Sequence, residues 1–386
     1  MNSKQLLWLL AAACGVVILG VMFTRIIDRS TAPAAGVNRP LLPDFPVNDI
    51  ETVIVTGVTG TGEVHKKNGI WCVPARNDYP ANFNAVSRLL TEMSEMTAIQ
   101  MVQAGESQYG RLKLLPPGKG GVNSGSEVVC RLANGKTVGH LILGKNYETP
   151  RSGDDAATMY NEATGRFLLL PESKTVAVVK SNFGAAATQA ADWLEPEFLN
   201  LLEVKSVTLK EGGKIIWNLA REAAGGGLLL SDLKTGETVD QDKINRAGAT
   251  WNWQRFADVA GRSADKPEDQ AEFTRELRAA EFTGCEFSIR LGALTADKQH
   301  RRIMVDATFT PPVRTPAKDE TPDVKKVADA NHAKSSTENR QRVEVLKKLT
   351  ADWIYLLPAS AFEATLQGRD GFLKPAEPAK PTPPPK

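Results

Sequence analysis

Ile50-Glu51-Thr52-Val53-Ile54-Val55 opens a stretch, running to Val102, whose reading decides the fold. The run is rich in β-branched residues, which favour strands. A Gly-rich turn from Gly57 to Gly62 follows, then a second apolar run at Ile70-Trp71-Cys72-Val73. Beyond Tyr79-Pro80, the residues Phe83, Val86, Leu89, Leu90, Met93 and Met96 recur at intervals of three and four. That spacing puts them on one stripe of a 3.6-residue helix, which must cover apolar surface. The flanking strands are the nearest such surface. Trp71, Phe83, Val86, Leu89, Leu90 and Met93 are therefore expected in the core of a strand–strand–helix unit.

Downstream, Glu127 to Leu132 and Thr137 to Leu143 flank Asn134-Gly135, a strong hairpin signal. Strands are expected at 166–170 and 175–179. The chain then repeats its landmarks. Val204 to Leu209 has the apolar spacing of Ile50 to Val55, and Ile215-Ile216-Trp217 stands in the place of Gly69-Ile70-Trp71. The stretch from Asp240 to Trp253 replaces the first helix, with a weaker stripe through Ile244, Ala247 and Trp251. Val259-Ala260-Gly261 follows it as Val102 to Gly105 follows the first. Phe287 to Leu291 resembles Val128 to Leu132, and Tyr355 to Ser360 resembles Leu168 to Ser173. Ordered landmarks of this kind imply a tandem duplication, with units at 47–198 and 199–373 and with Trp217 and Ile244 in the second core. Residues 311–342 are polar, charge-mixed and poor in aliphatics, and are read as a flexible insertion. The Pro-rich tail 374–386 is expected to be disordered.

Upstream lies an uncharged run that includes Leu6, Leu7, Trp8, Leu9, Leu10, Val16, Val17, Ile18, Leu19, Val21, Met22 and Phe23. As a helix it spans roughly 27 Å, close to the thickness of a bilayer core. Residues 1–29 are read as a retained single-pass membrane anchor and 30–46 as a Pro-rich stalk. A signal peptide cleaved after Ala32-Pro33-Ala34 is the competing reading. The expected fold class is α+β: a single N-terminal transmembrane helix followed by two tandem, internally repeated units of mainly antiparallel sheet packed with helices. The short segment before the run and the large body after it point to a cytoplasmic N-terminus with the body exported.

The 386 residues carry a formal charge of +2. Lys4, Arg25 and Arg29 against Asp28 account for it, and beyond residue 29 the two signs balance. A neutral body excludes a nucleic-acid partner, which needs a concentrated basic face. Cys14 lies in the apolar run, and Cys72, Cys130 and Cys285 form neither a CxxC pair nor a cluster with histidine. They are read as buried or unpaired thiols, with one disulfide among the three left open.

Several motifs look chemical and fail on context. Gly135-Lys136-Thr137 ends like a phosphate-binding loop, yet Cys130 stands where that loop needs glycine, and the triplet turns a hairpin. Ser231 to Lys234 fits SxxK and Lys234-Thr235-Gly236 fits KTG, but penicillin-binding enzymes keep the two motifs apart. Gly57, Gly60 and Gly62 have the wrong spacing for a dinucleotide fingerprint. His65, His140, His300 and His332 are scattered singly, and Asp154-Asp155 and Glu195/Glu197 sit in polar loops. No catalytic, cofactor-binding or metal-ligating residue is assigned, and no cofactor is implied.

The Gly69-Ile70-Trp71 strand, Tyr79-Pro80-Ala81-Asn82, Val86-Ser87-Arg88-Leu89-Leu90 and Tyr109-Gly110 together resemble the bacterial family known as domain of unknown function 4340. The likeness covers most of 47–200 and, more weakly, 200–373. Asn82 stands where aspartate is common, and Arg111 to Pro117 replaces a Leu-Asp-Pro-like run. The resemblance implies one N-terminal helix in the bacterial inner membrane and an exported, repeated body on the extracytoplasmic, periplasmic side. Some members are grouped with auxiliary components of ABC-type transport systems linked to gliding motility. A non-enzymatic scaffold or accessory subunit beside ABC-type transporter subunits is therefore expected. The alternative is a glycan- or peptide-binding module using Trp251 and Trp253.

Overall fold

In a computed structural model, residues 37–148, 164–201, 203–252, 254–263, 272–316 and 319–375 are described. The anchor run, Cys14, Asp154-Asp155, Trp253 and most of the C-terminal tail lie outside them. Among the described residues the chain forms two compact units. One comprises the described residues within 1–66 and 84–189, the other those within 67–83 and 190–386.

The first unit holds β1 (Ile50–Thr56) and β2 (Thr61–Lys67), helix α1 (Phe83–Glu95), β5 (Ala98–Val102), β6 (Ser126–Leu132), β7 (Thr137–Tyr147), β8 (Gly165–Leu170) and β9 (Thr175–Val179). Two short strands between β2 and α1, β3 (Ile70–Val73) and β4 (Tyr79–Pro80), belong to the second unit. The strands of the first unit run in the order β2-β1-β6-β7-β8-β9-β5. Neighbouring pairs are antiparallel. Asn134-Gly135 makes the β6–β7 turn: Gly135 has φ +79°, and the Asn134 side chain accepts from the Lys136 amide.

Helix α1 buries Val86, Leu89, Leu90 and Met93, each removal from water contributing about 1.5–3 kcal/mol. Met93 lies over β6 and β7, its sulfur 3.6 Å from Cys130 Sγ. A Cβ on Gly139 would stand 3.0 Å from its methyl, so only glycine leaves the helix that close. Phe83 departs from expectation. It is 63% exposed, because it is the first helical residue and lies before the stripe reaches the sheet. The opposite face of the sheet is covered by the excursion between β5 and β6, where Tyr109 and Leu114 pack on Ile142, Leu169 and Val176.

The second unit contains β10 (Glu197–Leu199), β11 (Val204–Glu211), β12 (Lys214–Ala220), β13 (Leu229–Leu230), α2 (Gln241–Ala249), β14 (Gln254–Arg255) and β15 (Asp258–Arg262). It continues with β16 (Arg275–Glu281), β17 (Cys285–Leu294), β18 (His300–Phe309), α3 (Pro322–Thr350) and β19 (Trp353–Pro358). Its large sheet runs β13-β12-β11-β16-β17-β18-β19-β15. Strand for strand, β2-β1-β6-β7-β8-β9-β5 is thus repeated as β12-β11-β16-β17-β18-β19-β15.

Three β-bulges repeat as well. One residue is extra between Ile50 and Thr52, and again between Val204 and Ser206. Another falls between Leu143 and Asn146, and again between Leu291 and Leu294. The third lies between Ala98 and Gln100, and between Val259 and Gly261. A bulge fixes register locally, so shared bulges define equivalent residues. They correct the sequence alignment. Phe287–Leu291 lies on β17, equivalent to β7 and not to the Val128–Leu132 strand. Tyr355 lies on β19, equivalent to β9 and not to the strand of Leu168.

Two further expectations are corrected. The fold class placed a transmembrane helix ahead of the units. No helix among the described residues is long and apolar enough to cross a membrane, and the anchor stretch lies outside them. The longest described helix, α3, carries charged residues along its whole length. The fold is mostly antiparallel sheet in two large sheets, with three α-helices among the described residues. The insertion 311–342, read as a flexible loop, is largely α3. Thr321 caps the helix by accepting from the Val324 amide, and Pro322 stands at its first position. Ala, Lys, Arg, Glu and Gln then supply high helix propensity without aliphatic bulk.

Candidate functional site

The two copies differ most in what joins their last equivalent hairpins. In the first, β8 and β9 meet through the tight turn Pro171-Glu172-Ser173-Lys174. In the second, residues 310–352 intervene and contain α3. That helix is the candidate functional surface, and its docking can be followed residue by residue.

The C-terminal third of α3 buries Val343, Leu346 and Thr350. Immediately before Val343, Arg342 donates from Nη1 and Nη2 to the Glu281 carboxylate at 2.9 and 3.1 Å. Its Nη2 also reaches the Asn200 carbonyl at 2.9 Å, and the guanidinium lies 5.2 Å from the centre of the Phe287 ring. The Glu281 side chain is only 2% exposed. A buried carboxylate needs such a fork, because desolvation without a partner is far costlier than the pair. Lys347 faces Asp306 of β18 at 3.8 Å. Toward the N-terminus the contacts become polar. His332 meets the Pro312 carbonyl at 2.9 Å, and Arg314 pairs with Asp329 and Glu320. Val324 and Val327 on that half are 57% and 61% exposed. The helix is therefore anchored at one end and presents apolar groups among charges at the other.

The aromatic residues singled out in the sequence are interior. Trp71 and Trp217 are buried, and Trp217 donates from Nε1 to the Gln367 carbonyl with Phe372 edge-on at 5.1 Å. Ile244 is fully buried on α2. Trp251 is fully buried too, so it offers no ring to a ligand. Tyr79, Phe256, Trp353 and Tyr355 form an aromatic cluster in the second unit, the Tyr79 and Tyr355 hydroxyls 3.4 Å apart. Burial pushes the Tyr79 phenol up to about 12.

The remaining motifs are structural. Ser231 hydrogen-bonds Asn218, while Asp232 and Glu237 both pair with Arg369 across the SxxK/KTG stretch. Gly57 donates to the Gly60 carbonyl in the β1–β2 turn. His140 sits between Glu127 at 2.9 Å and Glu172 at 2.7 Å. Cys72, Cys130 and Cys285 are free and buried. Among the described residues no group of His, Cys, Asp and Glu is placed to hold a metal ion.

The buried Glu281 had no signal of its own in the sequence. Its place in the register is that of Leu132, apolar in the first copy, and the change to a carboxylate accompanies the inserted Arg342. Neither a curated protein nor a solved structure matches this chain. The sequence profile of Domain of unknown function (DUF4340) matches residues 71–273, more than half of the chain, from β3 to the edge of β16. The chain belongs to the DUF4340 family.

Proposed function

We propose that this protein is a non-enzymatic scaffold or accessory subunit of an ABC-type transport assembly, acting on the extracytoplasmic side of the bacterial envelope. One observation carries the reading. A helix present in only one of two equivalent hairpins is clamped to its sheet by Arg342 and Glu281, and leaves Val324 and Val327 outward. Building a 29-residue helix on a repeated sheet adds contact surface without adding a reactive group. Mixed charges flanking a few apolar side chains suit a partner protein surface better than a small substrate.

Purification of the full chain from its own cells after mild detergent extraction tests this. The expected result is co-purification with an ABC-type permease, lost when Val324→Glu and Val327→Glu are combined. Recovery as a free monomer, with no permease in any fraction, overturns the proposal.

A further inference from the structure

The bulge between Leu143 and Asn146 places Gly144 and Lys145 opposite a single residue of β8. Arg166 on β8 donates from Nε to the Gly144 carbonyl at 2.9 Å and from Nη1 to the Asn182 carbonyl at 2.9 Å. The second copy repeats the clasp: Arg301 donates from Nη1 to the carbonyl of Gly292, the equivalent bulge residue, at 2.7 Å. On this ground alone both arginines are structural.

What differs is the segment laid over the bulge. In the second copy it brings a carboxylate. Glu272 Oε1 lies 2.9 Å from where a Gly292 Cβ would stand, and pairs with Arg302 at 3.5 Å. In the first copy the overlying segment includes Leu112, whose carbonyl would be 2.5 Å from a Gly144 Cβ, and it brings Lys113. Lys113 has φ +56°, a left-handed backbone that glycine or asparagine adopts more readily.

Beside the bulge is a cavity of about 300 Å³, with Lys113, Ser124, Ser126, Lys145, Asn146 and Arg166 in its wall and no carboxylate among the described residues. Among the described residues none of the three cations has a carboxylate partner, and Arg166 Nη2 has no hydrogen-bond acceptor. Burial lowers the Arg166 pKa, as expected of a guanidinium desolvated without a counter-charge.

We propose that this cavity binds a phosphate group, held between Lys113, Lys145 and the Nη2 of Arg166. The remaining Nη2 of Arg166 and two lysines match a dianion with three acceptor oxygens better than a single carboxylate. The cavity has room for a small phosphate monoester. The inference stands apart from the α3 surface and does not depend on a transport partner.

Calorimetric titration of the full chain at low salt tests it, with inorganic phosphate, glycerol 3-phosphate and vesicles containing phosphatidic acid as probes. Acetate and phosphatidylcholine vesicles serve as comparisons. Saturable binding of at least one phosphate probe is expected, weakened about tenfold by Lys145→Ala and by Lys113→Gly. Neither lysine clasps the bulge, and circular dichroism checks that both variants fold. Tighter binding of glycerol 3-phosphate identifies a soluble ester as the ligand, and binding only to phosphatidic acid identifies a lipid headgroup. Either result supports the phosphate site. Absence of binding to all three probes, equal binding of acetate, or affinity unmoved by both lysine variants overturns it.

Discussion

Arg342 grips Glu281 through two parallel N–H···O bonds, at a point where the first copy has Leu132. The pair trades an apolar contact for an ionic one that only the inserted helix completes. Arg342→Ala strands the carboxylate, and about 3 kcal/mol of stability should be lost. Changing both together, Glu281→Leu with Arg342→Leu, restores the chemistry of the first copy and should cost about 1 kcal/mol or less. Urea unfolding of the two single variants and the double variant measures the coupling. Additive losses would mean that the pair does not hold α3.

Leu89 and Phe83 lie on one helix and should answer very differently to truncation. Leu89 is fully buried and Phe83 is 63% exposed. Leu89→Ala should cost about 3 kcal/mol, and Phe83→Ala under about 0.5 kcal/mol. Thermal or denaturant unfolding distinguishes them, and similar losses would contradict the exposed position of Phe83.

His140 supplies a pH dependence. Partial burial opposes its protonation, but hydrogen bonds and charge from Glu127 and Glu172 outweigh that and raise its pKa above the usual 6.5. A raised pKa in the folded state stabilises the protein fully below 6.5, and that contribution fades as pH rises through the higher folded value. Stability relative to a His140→Gln variant should therefore decline above pH 6.5. A difference that grows with pH over this range would contradict the arrangement.

Of the four cysteines, the three among the described residues, Cys72, Cys130 and Cys285, should be silent until the chain unfolds, as read in a Cys14→Ser background. Cys130 is pushed up to about 12 by burial, and burial also raises Cys72 and Cys285. Thiolate is the reactive form, so an aromatic disulfide reagent at pH 8 should label none of them in native protein and all of them in denaturant. Rapid labelling of the native chain would place a thiol at the surface.

Much of this was legible where a local pattern sufficed. The Val86, Leu89, Leu90, Met93 stripe and the Asn134-Gly135 turn each rest on spacing within a few residues. The duplication could be read from landmarks, but its register could not. Strand equivalence depends on where single extra residues fall, and a bulge such as Gly144-Lys145 leaves no periodic mark. Helix α3 has too few aliphatic residues for spacing to mark it, because propensity and capping carry the helix. Lys113, Lys145 and Arg166 were illegible for another reason. They come from a loop and two strands, and only the sheet order brings them to one wall.

The short turn from Pro171 to Lys174 has a consequence for engineering. Its counterpart in the second copy tolerates residues 310–352, because the flanking strands are already locked by their bulges and loop closure costs little more as length grows. The same locks flank Pro171 to Lys174. That turn is therefore a ready graft port, where a foreign helix or epitope can be spliced in while the strands on either side keep their pairing.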